Sequence, residues 1–319
     1  MTASQLNLAN FPQRQAFGQS LAEYGEQNLD VVVLDADVSS STMTSYFAKR
    51  FPERFFNLGV TEASMVDVGV GMALAGKVPF VSTFAALLTL RACEQIRTCV
   101  AYADANVKLV GGYAGLSDYK DGPTHFAVND IAIMRSMPNM VVLSPGDNQE
   151  AAGLVKAMAE YPGPAYMRIS RANVADVYPA DYVPEIGKGV VLRQGGDVTL
   201  IGTGSMLGRC VKAAELLVGE GIDVRLIGMA SIKPLDAAIL QRAAKETGAI
   251  VTAEEHSVIG GLAGAVAETL GRSSPVPLEM VGLNDTFAQT GPDPETLMDA
   301  SGLSVMDIIV AVKRAAARK

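Results

Sequence analysis

Residues 140–169, MVVLSPGDNQEAAGLVKAMAEYPGPAYMRI, decide the fold. A short apolar run at 140–143 meets a Ser-Pro-Gly turn, an amphipathic stretch of helical length covers 149–160, and a second apolar run occupies 165–169. Short, uninterrupted apolar runs on either side of one helix-length stretch are the unit from which parallel sheets covered by helices are built. The alternation extends upstream, with strands expected at 31–34, 78–81 and 107–110 and helices at 14–27, 62–75 and 87–103. Downstream, periodicity lapses over 173–187, where Pro179, Pro184, two tyrosines and several acids read as a linker running over the surface. A second unit follows, with strands at 198–201, 224–227, 249–252 and 278–281 and helices at 207–218, 235–245 and 308–316. The expectation is an α/β protein of two domains, 1–172 and 188–319 joined by 173–187, each a mostly parallel sheet flanked by helices.

Composition narrows the function classes. The 319 residues carry a formal net charge of −8, against the concentrated basic patch that a nucleic-acid or anionic-membrane surface requires. Anionic ligands must therefore meet local arginines. Cys93, Cys99 and Cys210 form an odd, scattered set that fits neither a disulfide framework nor a zinc site, and it suits a reducing cytoplasm. No basic segment followed by an apolar stretch stands at the N-terminus, and Lys77 and Pro79 interrupt the most apolar region, so a soluble cytoplasmic protein is expected.

Gly202, Gly204 and Gly208 follow one strand and open a helix, as in a dinucleotide-binding turn. The next strand ends in Met229, Ala230 and Ser231, with no acid to hold a ribose, so the glycines read as a tight turn. The first unit carries more chemistry. Asp37, Glu62, Asp121, His125 and Arg171 each adjoin an expected strand end or helix start, where open α/β sheets bind ligands. Asp121 and His125, one of only two histidines, share a Gly-Pro turn that suits a core histidine poorly. Thr61-Glu62 is compatible with ordinary helix capping. It is equally compatible with a functional carboxylate, since Gly59-Val60 and the Ala/Gly/Met-rich helix that follows are too apolar for an exposed face.

Asn57-Leu58-Gly59-Val60-Thr61-Glu62, Ser82-Thr83-Phe84, Asp121-Gly122-Pro123-Thr124-His125, the segment Met134-Arg135-Ser136-Met137-Pro138-Asn139-Met140 and Ser231-Ile232-Lys233-Pro234-Leu235-Asp236 resemble transketolase segments, in the same order. The resemblance covers nearly the whole chain from about residue 14. It corresponds to that family's pyrimidine-binding domain plus its C-terminal domain. The Gly-Asp-Gly motif of the diphosphate-binding domain is absent, and Gly146-Asp147-Asn148 resembles an ordinary helix start, so no metal site is expected on this chain. The resemblance implies half of a split transketolase: thiamine diphosphate shared with an N-terminal, diphosphate-binding partner subunit that holds Mg2+, an α2β2 assembly, and sugar-phosphate substrates.

Carried over by motif, Glu62 is expected to hydrogen-bond the cofactor's pyrimidine nitrogen and manage its proton, with cofactor contacts from Asp37, Phe84 and Leu87. Asp121 and His125 match positions that hold the sugar hydroxyls near the reacting carbon. Arg14, Ser41 and Arg171 match the mouth that grips a phosphate. Three departures stand out: Leu87 and Leu90 lie where the family is often aromatic, Tyr113 replaces a common phosphate-binding histidine, and Phe126 replaces a common glutamine. They leave open an unusual sugar, branched or sulfonated. Two alternatives remain: the β subunit of a 2-oxo-acid dehydrogenase, against which Asp35-Ala36-Asp37-Val38-Ser39-Ser40-Ser41 argues, and a non-catalytic regulatory protein on the same fold.

Overall fold

The computed structural model describes Ala9 and residues 11–319. The strands are β1 (Val31–Asp35), β2 (Phe55–Asn57), β3 (Val78–Phe84), β4 (Lys108–Gly112), β5 (Val141–Leu143), β6 (Ala165–Arg168), β7 (Val190–Arg193), β8 (Val198–Gly202), β9 (Val224–Gly228), β10 (Ser231–Lys233), β11 (Ile250–Ser257) and β12 (Leu278–Leu283). They form a seven-stranded sheet ordered β10-β5-β6-β4-β3-β1-β2 and a five-stranded sheet ordered β12-β11-β8-β9-β7. Each sheet is parallel except for one edge strand, β10 against β5 and β7 against β9. Both are flanked by helices, the α/β architecture expected from the alternation of patterns. Central strands β1, β4 and β8 are buried along their whole length, which is why they read as apolar runs apart from the buried Asp35, Lys108 and Thr199.

The differences from expectation have local causes. β2, β7 and β10 are edge strands of three or four residues, too short to stand out in the sequence pattern. β10 joins the first sheet from the second half of the chain, so the two sheets are stitched together. The helix expected over 87–103 breaks into Ala85–Arg91, Cys93–Gln95 and a π-helical Ile96–Tyr102, with no Gly or Pro to announce the break. β11 continues past residue 252 because Glu254, Glu255 and His256, which read as a polar strand end, are buried.

The segment 173–187 is a strap rather than a surface linker: Val174, Val177 and Tyr178 are buried, and Tyr178 stacks on Tyr182 with ring centroids 4.2 Å apart. Asp147 fastens it. One carboxylate oxygen caps the helix Asn148–Glu160 through Glu150 N at 2.8 Å, and the other accepts from Val177 N and Tyr178 N at 2.9 and 2.7 Å. In the Gly202–Gly208 turn, Ser205, the N-cap of the helix Met206–Gly219, donates its hydroxyl to the buried Glu255 carboxylate.

Candidate active site

The site begins at the C-terminal end of β1. Asp35 is fully buried and accepts from Val38 N at 2.7 Å and from the hydroxyls of Thr42 and Thr44 at 2.8 Å each. Desolvation raises its pKa, and those three hydrogen bonds oppose the rise. They fold the turn that exposes Asp37, whose φ of 66° is left-handed. Asp37 accepts from Asn57 Nδ2 at 2.8 Å, and Asn57 Oδ1 accepts from Gly59 N at 3.0 Å. The ends of β1 and β2 are thereby locked, and the chain enters the helix Glu62–Leu74.

Glu62 is the first residue of that helix and is 4 % exposed. Its Oε1 accepts from Arg91 Nη1 at 2.9 Å, while the arginine side chain is 53 % exposed. Thr61 makes no capping bond to the helix and instead donates to Leu58 O at 2.9 Å. Capping therefore does not account for Glu62. Among the described residues Oε2 accepts no hydrogen bond, which leaves one oxygen of this carboxylate available to a ligand.

A second cluster lies where β3 and β4 end. Phe84, the last residue of β3, stacks on Tyr113 with centroids 4.2 Å apart, and the His125 ring meets it edge-on at 6.4 Å. Leu87 is half-buried in the helix Ala85–Arg91 that begins directly after Phe84. Two arginines flank the aromatic pair, their guanidinium carbons 5.4 Å (Arg14) and 5.0 Å (Arg171) from the Tyr113 centroid. Arg14 Nη1 donates to Ser41 O at 2.8 Å and to the Tyr113 hydroxyl at 2.9 Å, so Ser41 contributes its backbone carbonyl. Arg171 Nη1 donates to Asp118 Oδ1 at 2.7 Å. Asp121 is exposed, and half-buried His125 has Nδ1 3.0 Å from Thr124 Oγ1. Arg14, Ser41, Phe84, Tyr113, His125 and Arg171 thus form one cluster, whereas no hydrogen bond joins Asp37 or Glu62 to it among the described residues.

Sequence reasoning missed two residues here. Asp118 is fully buried, and desolvation together with neighbouring Asp121 raises its pKa to about 6 against the pull of Arg171. Arg91 lies in a helix whose sequence gives no sign of a partner for Glu62. Neither could have been found from spacing, since both depend on elements meeting in space.

The second half of the chain braces this cluster from behind. Glu255 Oε1 accepts from Leu116 N at 2.6 Å, and Gly115 must be glycine there, because a Cβ would stand 2.3 Å from Glu255 Cδ. Arg168 pairs with Asp130 at 3.1 Å and donates to Ala127 O at 2.8 Å, while Tyr166 donates to Asp130 at 2.6 Å. His256 is fully buried, with Nδ1 2.6 Å from Ser257 O and Nε2 3.4 Å from Ala132 N. Desolvation lowers its pKa to about 4, so it is a neutral structural histidine. Glu254 accepts from Leu262 N and Ala263 N at 2.7 and 2.8 Å, closing the start of the helix Leu262–Gly271.

Beside Glu62, one expectation is reversed. The stretch 60–74, too apolar in sequence to face water, exposes Val60 by 64 % just before the helix Glu62–Leu74, and Val68 by 39 % and Leu74 by 79 % within it, in the single chain. No helix among the described residues is long and apolar enough to cross a membrane, and no group of three or more His, Cys, Asp or Glu among them is placed to hold a metal ion.

Ligand-type side chains gathered at the C-terminal ends of parallel strands define an open-sheet α/β binding site. The chain belongs to the transketolase family: residues 10–176 match the transketolase pyrimidine binding domain, and residues 187–308 match the transketolase C-terminal domain. Over 287 residues it is 42% identical to a putative transketolase C-terminal section of Methanocaldococcus jannaschii, covering 89% of this chain and 90% of that protein. It is 37% identical to a 6-deoxy-6-sulfo-D-fructose transketolase subunit of a Clostridium species, over 96% of this chain and 95% of that one. A solved structure described as a split gene transketolase, inactive beta4 tetramer, superposes with a TM-score of 0.91 at 44% identity, covering 97% of this chain and 100% of that chain.

Proposed function

We propose that this chain is one subunit of a thiamine-diphosphate-dependent transketolase, transferring a two-carbon ketol unit between sugar phosphates or related sugars. It acts in the cytoplasm with a separate subunit that binds the diphosphate and Mg2+, in an α2β2 assembly. The observation that carries the reading is Glu62, a buried carboxylate with one oxygen held by Arg91 and the other without a protein partner. The open apolar surface of Val60, Val68 and Leu74 beside it supports a site completed by another chain.

The residues present suit the pyrimidine end of the cofactor. Oε2 of Glu62 is a free acceptor for a ring nitrogen, and Phe84 and Leu87 supply an aromatic and an aliphatic wall. Asp37, exposed at the end of β1, stands at the family position for cofactor contact. When bound, thiamine diphosphate supplies the carbon nucleophile and electron sink that protein side chains lack. The chain's own work is positional and protonic. Glu62 shares a proton with the ring nitrogen, Arg91 holds the carboxylate in place, and His125 and Asp121 take the sugar hydroxyls near the reacting carbon. Arg14, held by Ser41 O and Tyr113, and Arg171 face the distal end of the sugar.

The substrate departs from a standard aldose phosphate in this reading. Tyr113 stands where a phosphate-binding histidine is common, and a relative carries the name of a sulfosugar transketolase subunit. The likeness to a beta tetramer described as inactive supports dependence on the companion chain. The test is ketol transfer by the chain co-purified with its N-terminal partner, assayed on ketose phosphates, branched sugar phosphates and 6-deoxy-6-sulfo-D-fructose. Turnover of one of these requires both chains; turnover by either chain alone, or oxidative decarboxylation of a 2-oxo acid instead, would contradict the proposal.

A further inference from the structure

The two arginines at the mouth are not equivalent. Arg14 Nη1 is held by neutral acceptors, the Ser41 carbonyl and the Tyr113 hydroxyl, so among the described residues no carboxylate offsets its charge. Arg171 Nη1 is held by Asp118, which is fully buried, and whose Oδ2 has no hydrogen-bond partner among the described residues. Tyr113 and Tyr119 present rings 5.0 and 5.8 Å from the Arg171 guanidinium carbon, and Asp121 adds a second carboxylate beside Asp118. Ser117 Oγ accepts from Arg171 N at 3.1 Å.

We propose that Asp118 is a specificity-determining residue that acts through Arg171: it takes up the arginine's charge, so that the mouth offers one uncompensated guanidinium and disfavours a dianionic group. Substrates whose distal end is a monoanion, such as a sulfonate, or a neutral hydroxyl are favoured over those ending in a dianionic phosphate. The physical reason is a competition. A dianion reaching Arg171 must either lie against the Asp118 carboxylate or pull the guanidinium away from it, leaving a buried and uncompensated charge. A monoanion is satisfied by Arg14 alone. Asp118 does not need to touch the ligand, and its burial keeps it from doing so.

The substrate part of this inference rests on the ketol-transfer reading, but the charge competition does not, and the two fail separately. Ketol transfer decides the first; binding of inorganic sulfate to the chain decides the second. Sulfate is a suitable probe because it stays a dianion across about pH 5.5 to 7.5, where carboxylates with raised pKa values titrate. By isothermal titration at the upper pH, Asp118→Asn is expected to bind sulfate about tenfold more tightly than wild type, the scale of one charged hydrogen bond. On lowering the pH to about 5.5, wild-type affinity rises several-fold as Asp118 takes up a proton, while that of Asp118→Asn stays flat within about twofold. Adding Arg171→Gln to Asp118→Asn abolishes the gain. Asp118→Ser, measured beside it, gives the same direction through a smaller side chain. Equal affinities of wild type and both variants at the upper pH, absent binding by all of them included, would overturn the proposal. So would a pH-dependent rise that persists in Asp118→Asn, since a group other than Asp118 would then be responsible.

Discussion

Glu62→Gln separates chemistry from structure at the residue on which the proposed function depends. The carboxylate is 4 % exposed and accepts one hydrogen bond, from an arginine that is itself 53 % exposed. Glutamine has the same shape and can keep that bond as a neutral acceptor. The stability lost is the charge component of a pair whose arginine is half in water, about 0.5–1 kcal/mol, or a fall of roughly 2 °C in Tm for a chain of this size. Catalysis should respond on another scale. Removal of a positioned proton-transfer group typically costs about 10²–10⁴-fold in rate, and here the loss belongs in kcat, because the proton is shared during the reaction rather than on substrate binding. The assay is steady-state ketol transfer by the reconstituted two-chain enzyme, with differential scanning calorimetry of the same preparations. Activity within a few-fold of wild type would remove Glu62 from its role. A Tm fall of more than about 8 °C would show that the carboxylate is part of the core instead.

Two further outcomes follow from buried and exposed groups elsewhere. Burial pushes the Glu150 pKa from its ordinary 4.5 up to about 8, against a hydrogen bond from Gly146 N at 2.7 Å. Above the unfolded value the unfolded chain is ionised while the folded one holds its proton, so stability is lost as pH rises from 4.5 toward 8. Glu150→Gln should therefore leave Tm unchanged at about pH 4.5 and raise it by roughly 5 °C at about pH 8; a Tm gain independent of pH would refute the assignment. Leu74, 79 % exposed at the end of its helix, should tolerate Glu with little change in monomer stability. If that surface is an interface, Leu74→Glu weakens assembly by roughly tenfold or more, the scale of one buried leucine, as read by sedimentation velocity over a concentration series; unchanged assembly would place the contact elsewhere.

How much was legible in the sequence depended on whether a signal was local. β5, the helix Asn148–Glu160 and β6 were readable because a parallel strand buried on both faces must be apolar throughout, and Asp147 marks its helix start with an ordinary capping acid. Glu62 at a helix start, His125 in a Gly-Pro turn and Arg171 just past a strand end were readable as polar residues in ligand-binding positions of an open sheet. Asp118 was not, because nothing about an aspartate beside Tyr119-Lys120 says that it is buried against an arginine 53 residues away in sequence. β11 was cut short for the same reason. Glu254, Glu255 and His256 look like an exposed end until the helix starts and backbone amides that satisfy them are in place. The apolar character of residues 60–75 was read as burial within the chain, but in the single chain Val60, Val68 and Leu74 lie on the surface.

Whether the active site is divided between two chains can be decided by native mass spectrometry of this protein purified from its own cells with thiamine diphosphate and magnesium present. The expected result is an assembly containing a companion chain of about 30 kDa, the size of one diphosphate-binding domain, with thiamine diphosphate bound only when both chains are present. Homo-oligomers alone, carrying no companion and no cofactor, would contradict it.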